Sequence, residues 1–247
     1  MFVIVIGNPI NGNFLSLSAE SLSMSNVDDE VREWNDATWY ARDLSNKDCR
    51  TPIYGKASWN PSISVVKFGH SGKSCLRTKS EHPVSTSGTW VAVVYWTGNG
   101  GGWSTIAGIS YDKNWMIRFA GGSTELMMQV RKEQEARVKV ELNKPYIIVG
   151  RVDDANKKSY MWIWDIKEMK WLDKKIHNSQ GIVSGQNEVI VFGDNKNNDG
   201  EWFQGEIAEY SMWDRFLSDS EVNDLVEQYL TISDLNGKNV KGYLAMK

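Results

Sequence analysis

From residue 64 onward the chain is a succession of short alternating or aromatic runs: SVVKF at 64–68, TWVAVVYW at 89–96, STIAGISY at 104–111, WMIRF at 115–119, ELMMQV at 125–130, ARVKVEL at 136–142, PYIIVGRV at 145–152, SYMWIW at 159–164, EVIVF at 188–192 and WFQGEIAEYSMW at 202–213. Between them stand GNGGG, YDKN, AGGS, LNKP, DDANKK and DNKNNDG. Runs this short, cut at regular spacing by Gly, Asn and Asp, predict antiparallel strands in a sandwich or barrel. Twelve Trp, nine Tyr and seven Phe in 247 residues point the same way, because aromatic rings suit a pleated, half-buried surface. Residues 10–33 are polar and Ser-rich and read as an extended arm or irregular strands.

One helix start is written into the C-terminal part. Ser218 and Glu221 form an S-x-x-E capping box, Leu217 and Val222 can make the hydrophobic staple, and Val222, Leu225, Val226 and Tyr229 repeat at helical spacing. Glu221 therefore has a structural task, and Asp219 in the first turn complements the helix dipole. Just upstream, the structural reading pairs Glu209 with Arg215 as a partly buried ion pair fixing the strand-to-helix corner. A catalytic role for Glu209 would need a second acid at a defined separation.

The length suits one large domain, and all-β sandwiches reach this size as a single unit. A formal net charge of −3 with interspersed signs gives no stripe of Lys and Arg to track phosphates, so nucleic acid is not an expected partner. No window approaches the length of a membrane span. The opening MFVIVIGNP is too short in its apolar run and lacks a basic flank, so it reads as a first strand and turn, and synthesis in a cytosol is expected. Cys49 and Cys75 can pair in an oxidising compartment, but two thiols in a chain this long more often remain free.

The run F-x-G-x-I-A-E at 203–209, followed by an aromatic, Arg215, Leu217-Ser218 and Glu221-Val222, resembles the closing strand and short helix of concanavalin A-like lectin/glucanase domains of the laminin-G-like type. Upstream, Trp34-Asn35-Asp36, then Pro52 and VVKFG, are similar to the opening of the same domains. The resemblance spans roughly 20–232 and implies an all-β, two-sheet antiparallel jelly-roll sandwich with one short C-terminal helix, with Trp34 and Asp36 in structural positions. The expected layout is an N-terminal strand or arm over 1–19, the concanavalin A-like domain over 20–232 and a C-terminal extension over 233–247. The sequence departs from the family at ATWYARDLSN after Asp36 and at GKNVKGYLAMK near the end; both stretches read as partner-binding additions.

Catalytic patterns were tested against the residues they require. Glucanases of this superfamily need closely spaced acids on one strand, typically E-x-D-x-E, and that motif is missing; Glu133 and Glu135 have strand spacing but sit in RKEQEAR, which reads as a solvated hairpin tip. GHSGKS at 69–74 has two residues between its glycines where a phosphate loop needs four. His70, His82 and His177 are scattered, and no G-x-S-x-G elbow occurs. Asn195, Asn197, Asp199, Gly200 and Glu206 match positions 1, 3, 5, 6 and 12 of a calcium loop, although an Asn/Asp/Gly-rich hairpin explains the same letters. No cofactor is expected beyond that calcium alternative.

Sugar binding asks for an exposed ring beside polar side chains. Trp103 beside GNGGG, Trp115 beside YDKN, and Trp202 with Asn198 beside NNDGE meet that pattern, core packing being the competing reading at each. The fold and the missing catalytic acids predict a non-enzymatic binding or structural protein. The expected setting is a bacteriophage virion, as capsid decoration, fibre or tail, with virion proteins or further copies as partners and cell-surface polysaccharide as ligand. The alternatives are a free, extracellular glycan-binding lectin-like module, and behind it a glycoside hydrolase or lyase.

Overall fold

The computed structural model describes residues 12–24, 26–46, 49–69, 72–99, 102–109, 114–121, 123–131, 133–183, 185–194 and 200–232. Its strands are β1 (Asn13–Ser18), β2 (Glu33–Trp34), β3 (Leu44–Ser45), β4 (Ile53–Lys56), β5 (Ser64–Phe68), β6 (Leu76–Thr78), β7 (His82–Pro83), β8 (Gly88–Asn99), β9 (Ser104–Gly108), β10 (Trp115–Phe119), β11 (Glu125–Val130), β12 (Glu133–Lys139), β13 (Pro145–Asp153), β14 (Lys158–Asp165), β15 (Lys170–Asn178), β16 (Asn187–Glu188), β17 (Val191–Phe192) and β18 (Phe203–Trp213), followed by helix α1 (Asp219–Ile232). They form two antiparallel sheets. The first runs β15-β14-β13-β8-β18-β5-β4 with β1 also on β18, the second β12-β11-β10-β9-β17-β6-β3-β2, and β16 and β7 make a separate pair. The described residues form a two-sheet antiparallel β-sandwich with one α-helix.

The sheets meet through large rings. Trp90 of β8 packs on Trp115 of β10 with centroids 4.2 Å apart, and Trp96 of β8 stacks on Phe119 of β10 at 3.8 Å and 9°. These pairs sit in one continuous apolar interior with Trp34, Ile117, Met128, Ile148, Phe192 and Phe203. Gly150 of β13 belongs there because a Cβ at that point would lie 2.9 Å from the Met128 sulfur. Gly205, the glycine of the F-x-G-x-I run, is equally constrained: a Cβ would lie 2.3 Å from the Tyr95 carbonyl oxygen.

The outer face of the first sheet is also covered. Val91, Val93, Ile147, Val149 and Trp162 pack against Val222, Leu225, Val226 and Tyr229 of α1, which is why β8 and β13 read as nearly unbroken apolar runs and not as alternation. The capping box forms as expected: Ser218 N donates to the Glu221 carboxylate at 2.8 Å, and Glu221 N donates to Ser218 Oγ at 3.3 Å. Fully buried Arg151 of β13 anchors the same helix end, donating to the Leu217 carbonyl and to Asp219 Oδ1, each at 2.8 Å, with its guanidinium 4.0 Å from the Trp162 ring centroid.

Several expectations change. Of the two readings of 10–33, segment 13–18 takes the strand one, pairing with β18 with an irregularity between Asn13 and Leu15. The RKEQEAR segment is not a hairpin tip throughout, because β12 already begins at Glu133; the Glu133 and Glu135 side chains lie outside the described residues. β15 gave no apolar signal, since most of KWLDKKIHN is exposed on an edge strand. The cysteines are not free: Cys49 and Cys75 form a disulfide with Cα atoms 5.7 Å apart. This bridge ties the segment before β4 to the start of β6. Closing a loop with a sequence separation of 26 restricts the unfolded chain by about 3–4 kcal/mol. Reduction, or a C49S/C75S double variant, should lower unfolding free energy by that amount in urea titration; an unchanged midpoint would show that the bridge contributes nothing.

Candidate functional site

Of the three indoles proposed from sequence, Trp115 is fully buried between the sheets. A ring without exposed surface cannot stack on a sugar, so Trp115 is corrected to a core residue. Trp103 and Trp202 are half-buried and come to the same end of the sandwich, where Thr105 and Trp202 form an isolated parallel bridge. Between them a polar network closes the second sheet: Arg118 Nη1 donates to the Glu201 carboxylate at 2.7 Å, Thr105 Oγ1 donates to it at 3.0 Å, and Arg118 also donates to Gln129. The Arg118 guanidinium lies 4.1 Å from the Trp103 ring centroid, and Lys73 Nζ lies 4.5 Å from that of Trp202. Each indole therefore already has a cation against it, which makes this end a braced corner more than an open platform.

Asn195, Asn197, Asn198 and Asp199 lie outside the described residues. Glu206, the twelfth position of the calcium-loop pattern, is engaged with the β4–β5 turn. Its buried carboxylate accepts from Ser58 N at 2.8 Å and Ser58 Oγ at 2.6 Å, with Lys67 Nζ at 3.8 Å, so it pins the β4–β5 turn to the sheet. Among the described residues, no three His, Cys, Asp or Glu side chains gather as a metal site, and no helix is long and apolar enough to cross a membrane.

The most exposed large apolar side chain among the described residues lies in the ATWYARDLSN departure, although no single residue there stood out as a ligand contact. Trp39, at 102% relative exposure, stands at the tip of the 35–43 loop between β2 and β3, and Tyr40 beside it is 59% exposed. The loop beneath them is closely held. Buried Asp36 accepts from Ser16 N, Thr38 N and Arg42 N, each at 2.9 Å, and from the Thr38 hydroxyl. Asp36 N donates to Asp43 Oδ1 at 3.1 Å, and Ala41 turns the chain with φ +46°. Arg42 is sandwiched below, its guanidinium 3.4 Å from the Phe14 ring centroid and 3.9 Å from that of Tyr40, and it donates to the Phe14 carbonyl. Trp34 fixes the entry to the loop, fully buried and donating from Nε1 to the Ser18 carbonyl at 3.0 Å. Within the ATWYARDLSN departure the signal is local: an indole and a phenol placed side by side cannot both follow the inward face of a strand.

Glu209 and Arg215 do not pair. Cross-strand register shifts between Ile207 and Glu209, which moves the inward set from Phe203 and Ile207 to Tyr210 and Met212. Glu209 is left beside β1, accepting from Ser18 Oγ at 2.6 Å, while Arg215 reaches forward to Glu221 at 2.7 Å. Burial, helped by the nearby Glu20 charge and opposed by the Ser18 hydrogen bond, raises the Glu209 carboxyl from 4.5 to about 8. Part of the residue reaches solvent, yet its carboxyl is desolvated. Glu221 moves the other way, to about 2, chiefly through its bond with Arg215. His82, near Phe14, is lowered to about 4 by burial and then by Arg42, so it is uncharged at neutral pH.

No protein-family model matches the chain, and no curated protein matches it. Its fold is similar to that of Trypanosoma rangeli sialidase in complex with sialic acid, with a TM-score of 0.55 and 14% identity over 94% of this chain and 35% of the sialidase. It is similar also to the binding domain of botulinum neurotoxin serotype D, with a TM-score of 0.56 and 12% identity over 89% of this chain and 52% of that one. The chain thus spans about a third of the sialidase it matches. At these identities the similarity concerns the fold, and it agrees with the β-sandwich described above.

Folded Glu209 keeps its proton to about pH 8, whereas the unfolded chain releases it near 4.5. The unfolded state then binds fewer protons across that window, so this group's stabilising contribution is complete below 4.5 and is lost as pH rises toward 8. His82 acts in the opposite sense between about 4 and 6.5, leaving Glu209 the dominant shifted group of the two from 6.5 to 8. Unfolding free energy should fall over that upper interval in the wild type and stay flat in Glu209→Gln; parallel profiles would remove Glu209 as the cause.

Proposed function

We propose that this chain is a non-catalytic, glycan-binding module of the concanavalin A-like lectin type, and that Trp39 with Tyr40 forms its contact surface. The observation that carries the reading is a fully exposed indole on a loop whose backbone is fixed by a buried carboxylate. Exposing Trp forgoes roughly 1.5–3 kcal/mol of burial, so a rigidly presented ring is best explained by something that covers it. The two rings offer on the order of 300–400 Å², well below the roughly 800 Å² per partner of a standard protein interface. A sugar ring matches that area, stacking its C–H face on an aromatic while its hydroxyls reach polar neighbours.

The Cys49–Cys75 bridge supports action outside a reducing cytosol. We place the module extracellularly, free or carried on a virion surface as the sequence suggested. Hydrolysis is the weaker reading, because the buried carboxylates of Asp36, Glu206 and Glu209 are each held in hydrogen bonds that serve the fold.

A glycan array probed in calcium and again in chelator tests the reading. Signal should persist in chelator. Trp39→Ala should weaken binding by about tenfold or more with its unfolding midpoint unchanged, because Trp39 is fully exposed, while Trp103→Ala should retain binding. No glycan signal at millimolar protein, or full binding by Trp39→Ala, would overturn it.

A further inference from the structure

Beneath the Trp39–Tyr40 surface, side chains from three segments form a column. The Arg42 guanidinium lies between two rings, 3.9 Å from the Tyr40 centroid and 3.4 Å from that of Phe14, and the His82 ring meets Phe14 edge-on at 6.1 Å and 88°. Arg42 is only 5% exposed; its backbone N–H is held by Asp36, and Nη1 donates to the Phe14 carbonyl. Tyr40 is thereby seated from below, and its seat extends through Phe14 to His82. His82 belongs to β7, outside the loop, and is half-buried. The one hydrogen-bond contact of its ring among the described residues is the Ser80 hydroxyl at 3.5 Å.

Protonation would set a second cation beside a buried guanidinium. Burial and then the Arg42 charge oppose the proton while Asp36 favours it, and the imidazole is lowered from 6.5 to about 4. Glu188 of β16 stands opposite His82 in register, and Glu81 precedes it in the chain. Arg42 in turn feels Asp36, Tyr40 and Asp214, and Lys79 pairs with Glu33 and Asp43. An opened column, in which His82 reaches water, restores the ordinary proton affinity of the ring, so acid shifts the population toward it. We infer that His82 is an acid-operated release for the Trp39–Tyr40 surface: when its imidazole takes a proton, the Tyr40–Arg42–Phe14 column opens and Tyr40 loses its fixed position. The switch stands on the column alone, whereas its effect on a ligand rests on the glycan-binding reading above.

Hydrogen exchange of the Thr38 and Arg42 amides, both donors to Asp36, reads the column in the full chain without a ligand. After correction for intrinsic exchange, their protection should fall about tenfold or more between about pH 7 and about pH 5, while that of Ile148 in the core does not fall. Carboxylates of ordinary affinity stay largely ionised over that interval. His82→Phe, and independently His82→Gln, should keep the Thr38 and Arg42 protection at both values. Unchanged protection in the wild type, or an equal fall in both variants, would overturn the switch. A glycan array developed at the same two values supplies the second arm: its signal should weaken about tenfold or more at the lower pH in the wild type and hold in His82→Phe. Array signal indifferent to pH while the amides open would overturn ligand release and leave the glycan-binding reading intact. No array signal at either value, with exchange that falls only in the wild type, would overturn the glycan reading and leave the switch standing.

Discussion

Two sheets of this width stay together because rings from β8 and β10 meet across the gap, Trp90 on Trp115 and Trp96 on Phe119. Side chains of that volume fill the interior with few atoms left to ordering, and packed interiors transmit any loss of volume as a cavity. Everything that presents chemistry is hung on this pair of contacts. The 35–43 loop extends from short strands of the second sheet and is tied back to β1 of the first through Ser16 and Asp36, so its geometry holds only while the sheets keep their spacing. Helix α1 closes the opposite face of the first sheet, leaving β8 and β13 shielded on both sides.

Cations on aromatic faces recur through the structure. Arg42 lies against Phe14 and Tyr40, Arg118 against Trp103, Arg151 against Trp162, and Lys174 against Trp162 and Trp171. A chain with twelve Trp has more ring surface than its interior can take, and a guanidinium covers the excess while its own weak hydration makes the partial burial tolerable. Ring count alone is therefore a poor guide to ligand sites in this protein, because most half-buried rings are already covered from within.

That is also why the sequence showed the fold more fully than the surface. β10 and β11 could be read to the residue because their apolar periodicity is local, and the capping box of α1 needs only four consecutive positions. β15 escaped because an edge strand exposed along nearly its whole length carries no alternation. Trp115 was misplaced because the polar letters beside an indole do not say which way the ring turns. Trp115 faces inward onto Trp90 of the other sheet, whereas Trp39 lies exposed on a loop shaped by Asp36 and the left-handed Ala41. Glu209 was assigned the wrong partner because one extra residue near Ala208 changes the phase of the strand, and a bulge leaves no mark in a sequence that is apolar on both sides of it.

On the proposed reading, the loop that carries Trp39 also sets how a sugar would be held. A fully exposed ring has no protein wall on either face, so it can cover one side of one sugar and little more, and contact of that extent gives weak single-site affinity. Its rigid base removes the entropic cost of ordering the loop but adds no contact area. Firm attachment would then come from repetition, several copies engaging a glycan-coated surface at once, where linkage alone multiplies avidity by roughly 10²–10⁴. A surface so held releases any one sugar quickly while the whole remains in place, which suits reversible movement over a polysaccharide layer better than permanent capture.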